Sequence, residues 1–177
     1  AKWVEEAAQF KEELIIKGIE QEMRTELVSS ETQEKVVALR GTLDRIDHFR
    51  SKNRIIDYKT GKVEPAELKL KSWEDLNVPG KGDKLFQLLF YAYLYISNAG
   101  EVTEIQAGIY SFRNLAKGFL EASLPDGASV TGSMDDFERY LKELLHGLFD
   151  AGKPFEQVDD PAVCTYCAYA SICQRSV

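Results

Sequence analysis

The sequence predicts a mixed α/β domain in which helices flank a small central β-sheet. The chain has 177 residues, about the length of one domain, and 44% of them are hydrophobic while 29% are charged, as in ordinary globular proteins. Stretches with helical periodicity alternate with stretches that have the composition of strands, in the order α-β-β-(α)-α-β-β-α followed by a tail. The three cysteines are too few, and odd in number, to build a secreted disulfide scaffold.

The first predicted element is a helix of about 20 residues. Apolar residues recur at intervals of three and four from Trp3 to Leu14, and the same stripe drifts onward to Met23. We therefore expect this helix to end before Thr25. Residues 26–28 then begin a strand.

The next two elements are predicted to be the strands of a β-hairpin. Residues 36–50 form one long strand that Gly41 weakens, and residues 54–59 form a second strand rich in Ile and Tyr. The polar residues 51–53 connect the two strands.

Two helices are predicted after the hairpin. Residues 64–71 fit a short helix with Pro65 in its first turn. After a loop, Asp83 is placed to cap a longer helix that ends near residues 98–100.

The last third of the chain adds a strand pair, a helix and a tail. Residues 102–112 fit a strand that is buried on both faces, and residues 118–124 fit its partner. A strongly amphipathic helix follows at residues 133–148. Residues 155–177 have no periodicity and hold all three cysteines.

Charge is unevenly distributed along the chain. The formal net charge is −7, which by itself argues against a nucleic-acid-binding protein. From Arg40 to Lys84, however, 11 Lys or Arg residues face 8 Asp or Glu residues, a balance of +3, and the remaining 11 basic and 21 acidic residues give −10. The acidic excess therefore lies outside the middle segment, which contains the predicted hairpin.

Charged residues converge on this hairpin. Strand side chains alternate between faces, so Asp57 and Lys59 share a face, and Asp44 on the partner strand lies opposite or diagonal to Asp57. Buried carboxylates need a neutralising cation, and oxygen ligands favour Mg²⁺ or Mn²⁺. Lys59 beside such a metal would position a water molecule or stabilise charge on a phosphate. The alternative is a simple cross-strand salt bridge that involves Lys59 or Arg45.

Three sequence strings occur in order along this part of the chain. They are Gly41-Thr42-Leu43-Asp44-Arg45-Ile46-Asp47, then Asp57-Tyr58-Lys59-Thr60-Gly61, then Gln87-Leu88-Leu89-Phe90-Tyr91. In residue type, order and spacing they resemble the motifs of the RecB-like branch of the PD-(D/E)XK nuclease superfamily. The resemblance implies a restriction-endonuclease-like core and metal-dependent hydrolysis of DNA phosphodiester bonds.

The resemblance also implies roles for individual residues. Asp44, Asp57 and the backbone carbonyl of Tyr58 would bind Mg²⁺ or Mn²⁺, and Lys59 would be the catalytic lysine. Gln87 and Tyr91 are four residues apart, so they share one helix face, and that face would position the lysine and the DNA strand.

Further charged residues are assigned structural or DNA-binding roles. Arg45 and Asp47 project away from Asp44 and are interpreted as a structural pair. The basic residues Lys62, Lys81 and Lys84 are candidates to hold the DNA backbone.

Members of the family usually add a metal ligand from an upstream helix. No His precedes His48, so we expect a Glu, and Glu20 is the preferred candidate. Glu22 and Glu26 are alternatives, as is a ligand that is absent or lies upstream of the chain.

The tail contains a C-x2-C-x5-C pattern formed by Cys164, Cys167 and Cys173. It resembles the tail of AddB-type nucleases and of related CRISPR-adaptation exonucleases, in which a fourth, upstream cysteine completes a [4Fe–4S] cluster. The chain has no fourth cysteine, so the cluster is expected only if a longer protein supplies one. His146 as a substitute ligand, free thiols and a Cys164–Cys167 disulfide are the alternatives.

The leading functional hypothesis is a DNA exonuclease of recombination and repair. We expect one nuclease domain cut from the C-terminal part of a longer cytoplasmic protein, with DNA as substrate and a helicase subunit or upstream helicase-like domain as partner. The alternatives are a catalytically silent DNA-binding or scaffold module and a metal-binding interaction domain. No apolar run is long enough to span a membrane.

Overall fold

A computed structural model of the chain describes residues 13–28, 36–77, 82–100, 104–165 and 167–175. This part contains a five-stranded sheet in the order β1-β2-β3-β4-β5, in which β3 and β4 are parallel and the other neighbours antiparallel. The strands are β1 Ile15–Val28, β2 Val36–Phe49, β3 Lys52–Lys59, β4 Ile105–Ser111 and β5 Leu120–Glu121. The helices are α1 Asp83–Asn98 and α2 Met134–Phe149. This mixed sheet with flanking helices confirms the predicted restriction-endonuclease-like fold class.

Helix α1 lies against the sheet and forms the centre of the hydrophobic core. Its apolar residues recur at intervals of three and four and are fully buried, because they pack on apolar side chains of the strands. The helix residues in this core include Leu85, Leu88, Leu89 and Ala92, and the strand residues include Leu43, Ile46, Ile55 and Ile109.

Helix α2 packs on α1 through aromatic contacts. The Phe137 ring lies 5.7 Å from the Phe86 ring and 6.3 Å from the Tyr93 ring, both edge-on. The predicted apolar face of this helix is only half buried, because Leu144 and Leu148 are 47% and 52% exposed.

The prediction of a helix through Met23 is wrong for the residues that the structure describes. Ile15–Val28 forms β1, which pairs with β2 along a long antiparallel ladder that includes a register shift between Ile16 and Gly18. Pairing with a neighbouring strand overrides the local spacing of apolar residues. The first part of the predicted helix, residues 1–12, lies outside the described residues.

The hairpin is confirmed with a tighter turn than predicted. The last ladder pair is Phe49 with Lys52, so only Arg50 and Ser51 form the turn. Both have positive φ, 52° and 60°, as a two-residue type I′ turn requires. Neither residue is the Gly, Asn or Asp that usually signals such a turn, which is why the sequence pattern placed the turn too late.

Three further elements differ slightly in their bounds from the prediction. The predicted helix over residues 64–71 is only one 3₁₀ turn, Pro65–Leu68. The cap of α1 is Gly82, with φ of 90°, rather than Asp83, which is the first helical residue. The predicted strand pair shortens to β4 and β5.

A buried charge network lies on the face of β2 and β3 that points away from α1. Asp47 is fully buried, and its carboxylate accepts from Arg45 Nη2 at 2.6 Å and from Arg54 Nε at 2.7 Å. Arg45 Nη1 also donates to the hydroxyl of Tyr58 at 3.1 Å. The predicted Arg45–Asp47 pair therefore exists, and Arg54 is its third member.

Among the described residues, no helix is both long enough and apolar enough to cross a lipid bilayer.

We predict that Asp47→Ala lowers the free energy of unfolding by about 3–5 kcal/mol, because it leaves two buried guanidinium groups without their shared carboxylate. Chemical denaturation measures the change. Asp136→Ala is the matched control, since Asp136 pairs with Arg139 on the solvent-exposed side of α2, and it should cost less than about 1 kcal/mol. Similar losses for the two variants would contradict the prediction.

The contact between α1 and α2 predicts a tyrosine whose phenol loses its proton at unusually high pH. Burial, followed by the hydrogen bond that Tyr93 donates to Glu138 at 3.0 Å, raises the pKa of Tyr93 to about 12. Because the unfolded phenol loses its proton at lower pH, the stability from this group is complete below pH 10 and is lost as the pH rises towards 12. Ultraviolet titration should show a step near pH 12 that Tyr93→Phe removes; an unchanged curve in that variant would refute the assignment.

Candidate active site

The hairpin brings two carboxylates close together. The ladder between β2 and β3 ends with Arg45 paired to Ile56, one residue before Asp44 and Asp57, and the Asp44 carboxylate lies near enough to raise the pKa of Asp57. Asp44 Oδ2 accepts a hydrogen bond from the backbone N–H of Tyr58 at 2.8 Å. The structure therefore places the Asp44 carboxylate across the hairpin, against the backbone of Tyr58.

Lys59 connects these carboxylates to helix α1. Its ammonium lies 3.0 Å from Asp57 Oδ2 and donates to Gln87 Oε1 at 2.7 Å. Gln87 Nε2 in turn donates to the hydroxyl of Tyr91 at 2.8 Å. The predicted face of Gln87 and Tyr91 thus meets the predicted Asp57–Lys59 pair, and all four side chains form one hydrogen-bonded chain.

Gly41 is what allows α1 to approach the sheet at this point. A Cβ atom on Gly41 would lie 3.0 Å from Leu94 Cδ1 and 3.2 Å from Tyr91 Cε1, closer than side chains ordinarily pack. Gly41, which the sequence suggested as a weak point of the strand, therefore leaves the space that the Tyr91 ring occupies. A side chain there would displace the helix that carries Gln87.

Asp57 is a buried carboxylate with incomplete neutralisation. It is 2% exposed, and its Oδ2 atom accepts no well-aligned hydrogen bond from the described residues. Burial raises its pKa, the hydrogen bond and charge of Lys59 lower it, and the nearby Asp44 carboxylate raises it further, with a net rise. Lys59 alone therefore does not offset the cost of holding this charge.

These groups fit a divalent cation. A buried carboxylate oxygen without a hydrogen bond, next to a second carboxylate, is a donor set suited to Mg²⁺ or Mn²⁺. Asp44 and Asp57 are the side chains that would hold the ion, together with the Tyr58 carbonyl.

Glu20 does not lie on a helix, contrary to the prediction. It lies in β1, has a φ of 47°, and is level with Asp44 because Ile19 pairs with Arg45 and Gln21 with Leu43. Within the described ranges, no three His, Cys, Asp or Glu side chains group closely enough to hold a metal, so Glu20 does not join Asp44 and Asp57 there. Its role as a ligand stays a prediction.

One buried residue near the site escaped the sequence analysis. Ser111 is 1% exposed and lies beside Lys59 in the register of β3 and β4. Its hydroxyl donates to the Gly61 carbonyl at 2.8 Å and accepts from the Val63 N–H at 3.2 Å. It thereby fixes the loop that follows Lys59, and a single serine in a strand carries no signal for that role.

Two of the three predicted DNA-binding lysines form ion pairs at the surface. Lys62 pairs with Glu64 and Lys84 with Glu67. Hydrogen bonding to Glu64 raises the pKa of Lys62, so this lysine stays charged. Lys81 lies outside the described residues, and the role of all three in binding DNA stays a prediction.

The three cysteines do not form a metal site in the part of the chain that the structure covers. All three are free thiols: Cys164 is buried, Cys173 is half-buried and Cys167 is exposed. No group of three metal-binding side chains includes them among the described residues. The predicted [4Fe–4S] site therefore does not fit these residues as they stand, and the Cys164–Cys167 disulfide is absent.

A comparison with known protein families finds a match for this chain. A family model described as the PD-(D/E)XK nuclease superfamily matches residues 1–174. No curated protein matches the chain. The crystal structure of SSO0001 aligns with a TM-score of 0.40 and 16% identity over 99% of this chain and 66% of that one, so the chain spans just under two thirds of that protein.

The family match covers almost the whole chain. The chain belongs to the PD-(D/E)XK nuclease superfamily, whose members are generally metal-dependent nucleases.

Proposed function

We propose that this domain hydrolyses phosphodiester bonds of DNA with the help of Mg²⁺ or Mn²⁺. The observation that carries the proposal is the position of the Lys59 ammonium, which is held between Asp57 and Gln87, with the Asp44 carboxylate near Asp57. Asp44 and Asp57 would hold the cation, which when bound supplies Lewis-acid activation of the phosphate.

Lys59 supplies the remaining polar chemistry at this site. Its side chain is 30% exposed, so the ammonium is accessible to a substrate while two hydrogen bonds fix its direction. An ammonium in this position orients a water molecule and stabilises negative charge that develops on a phosphate. Gln87 acts through Lys59 and is therefore a positioning residue.

A catalytically silent module would not need this arrangement. If Asp57 had a purely structural role, full neutralisation of its carboxylate would be the more stable arrangement. Asp47 is neutralised in this way by two arginines on the other face of the hairpin. Asp57 instead remains partly uncompensated beside a second carboxylate. Such a cost at a site with a perturbed pKa is typical of catalytic centres.

We extend the proposal to the branch of the superfamily. The order and spacing of the three strings support a RecB-like, AddB-type exonuclease that acts in recombination and repair in the cytoplasm beside a helicase. A [4Fe–4S] cluster in a longer protein stays a prediction, because it needs a fourth ligand that these 177 residues do not supply as cysteine. An absorption spectrum of anaerobically prepared longer protein tests it.

We predict that Lys59→Ala lowers the rate of DNA cleavage at least about 100-fold, because it removes the charge that stabilises the phosphate. The measurement is degradation of linear DNA with Mg²⁺ or Mn²⁺. Lys142→Ala is the control, since Lys142 pairs with Glu138 on the exposed side of α2 and should retain full activity. Equal cleavage by Lys59→Ala and the control, or no cleavage by the unmodified domain under any metal condition, would sink the proposal.

Metal binding has a readout that does not depend on activity. Mn²⁺ at 100 times its Kd should stabilise the unmodified domain by about 2.7 kcal/mol in thermal denaturation, and Asp57→Asn should abolish this gain. Asp136→Asn, an exposed control, should keep it. A Mn²⁺ effect of equal size in the Asp57→Asn variant would place the ion elsewhere.

The sign of the pH dependence follows from the raised pKa of Asp57. As the pH rises above 3.8, the unfolded carboxyl loses its proton before the folded one, so without metal this group lowers stability through that window. Protons compete with Mn²⁺ for the same oxygens, and the Mn²⁺ gain should therefore shrink as the pH falls towards the raised pKa.

A further inference from the structure

A basic cavity of about 440 Å³ lies at the other end of β3 from Lys59. It is lined by Phe49, Arg50, Lys52, Arg54, Gln106 and Phe119, with Lys117 at its edge. Among the described residues, those that line the cavity include no carboxylate, although Glu104 and Glu121 lie next to it as hydrogen-bond acceptors of Lys52 and Gln106. Because strand side chains alternate, Arg54 points to the face opposite Lys59, so this cavity is distinct from the site of the two carboxylates.

The floor of the cavity is rigid. The Arg54 side chain is almost fully buried and makes two hydrogen bonds to Asp47, at 2.7 and 3.1 Å. Its guanidinium lies 4.6 Å from the centre of the Phe49 ring and 5.3 Å from that of Phe119. The Phe119 ring is seated over Gly108, where a Cβ atom would lie 2.6 Å from it.

The rim of the cavity is accessible and positively charged. Lys52 donates to Glu104 at 2.8 Å, with the two side chains 35% and 52% exposed. Such an exposed pair contributes at most about 1 kcal/mol, so an incoming phosphate can replace Glu104 as the partner of Lys52. Arg50 extends over the Phe49 ring from the tight turn, with its guanidinium 5.5 Å from the ring centre.

We propose that this cavity binds a segment of single-stranded nucleic acid, with its phosphates on Arg50 and Lys52 and a base stacked on the Phe119 ring. Cations beside fixed aromatic rings are the combination that binds single strands without sequence preference. A site for a bare anion would need the cations but not the rings.

The inference rests on the proposed function, because the strand is the substrate of the same domain. From Lys52 to Lys59 the chain rises about 23 Å, at about 3.3 Å for each residue. The cavity would therefore hold the strand at a distance from the bond that is cut.

The test measures binding in EDTA, so that cleavage does not intervene. The probe is a fluorescein-labelled oligo-dT of about 16 nucleotides, followed by fluorescence anisotropy. Arg50→Asn combined with Lys52→Gln removes both rim charges, and Asn tolerates the positive φ of residue 50. We expect the Kd to rise at least about tenfold and the slope of log K against log salt to fall by about 1.4, for two lost phosphate contacts.

The matched control removes two charges elsewhere. Lys142→Gln combined with Lys153→Gln acts on α2 and the segment after it, and it should change the Kd less than about twofold. Circular dichroism melts confirm that each variant is folded. Equal weakening by both pairs of substitutions, or none by the rim pair, would overturn the proposal.

Phe119→Leu separates stacking from charge. It keeps an apolar side chain over Gly108 but removes the ring, so the Kd for oligo-dT should rise at least about fivefold while competition by inorganic polyphosphate stays the same. An unchanged Kd for oligo-dT would mean an anion site only and would overturn the nucleic-acid assignment.

The two proposals fail in different ways. If the unmodified domain cleaves DNA in a Lys59-dependent manner but the rim pair binds normally, the cavity inference fails and the nuclease stands. If no cleavage occurs but the rim and ring variants weaken binding as expected, the nuclease proposal fails and the strand site stands.

Discussion

The register between β2 and β3 is the constraint on which the rest of this structure depends. It brings the Asp44 carboxylate close to Asp57 on the face covered by α1, and on the other face it places Asp47 between Arg45 and Arg54. A shift of one residue would exchange the two faces and bury the wrong charges in each. The buried triad of charges is thus well placed to specify the register that brings the two carboxylates together.

The carboxylates on the two faces of the hairpin differ in how far they are neutralised by neighbouring cations. Asp47 accepts three hydrogen bonds from the guanidinium groups of Arg45 and Arg54. Asp57 has one partial partner, a raised pKa and an oxygen without a hydrogen bond among the described residues. The first arrangement has the chemistry of a structural ion pair, and the second leaves room for a cation that the protein itself does not provide.

The sequence allowed the hairpin, α1 and the shared face of Gln87 and Tyr91 to be predicted, because each rests on local spacing. It failed for β1, where pairing with β2 decided the conformation of residues whose spacing suits a helix. It also failed for the turn at Arg50 and Ser51, which have positive φ without the residues that announce it. The close contact of Gly41 with Tyr91 and the role of Ser111 depend on neighbours distant in the chain, so no local pattern could have shown them.

Because Tyr91 packs against Gly41, the position of Lys59 depends on how helix α1 packs against the sheet. The geometry at Lys59 is therefore coupled to the cooperative folding of the whole domain. Helix α1 carries Gln87 and Tyr91 on one side. The same short segment also carries leucines that are among the most deeply buried residues of the core. Lys59 therefore takes its direction from a helix in the centre of the hydrophobic core, and not from a surface loop. Because elements with many buried apolar contacts are generally the last to open, amide exchange along α1 should be slow, and the hydrogen bonds of Lys59 should keep their geometry for as long as the domain is folded.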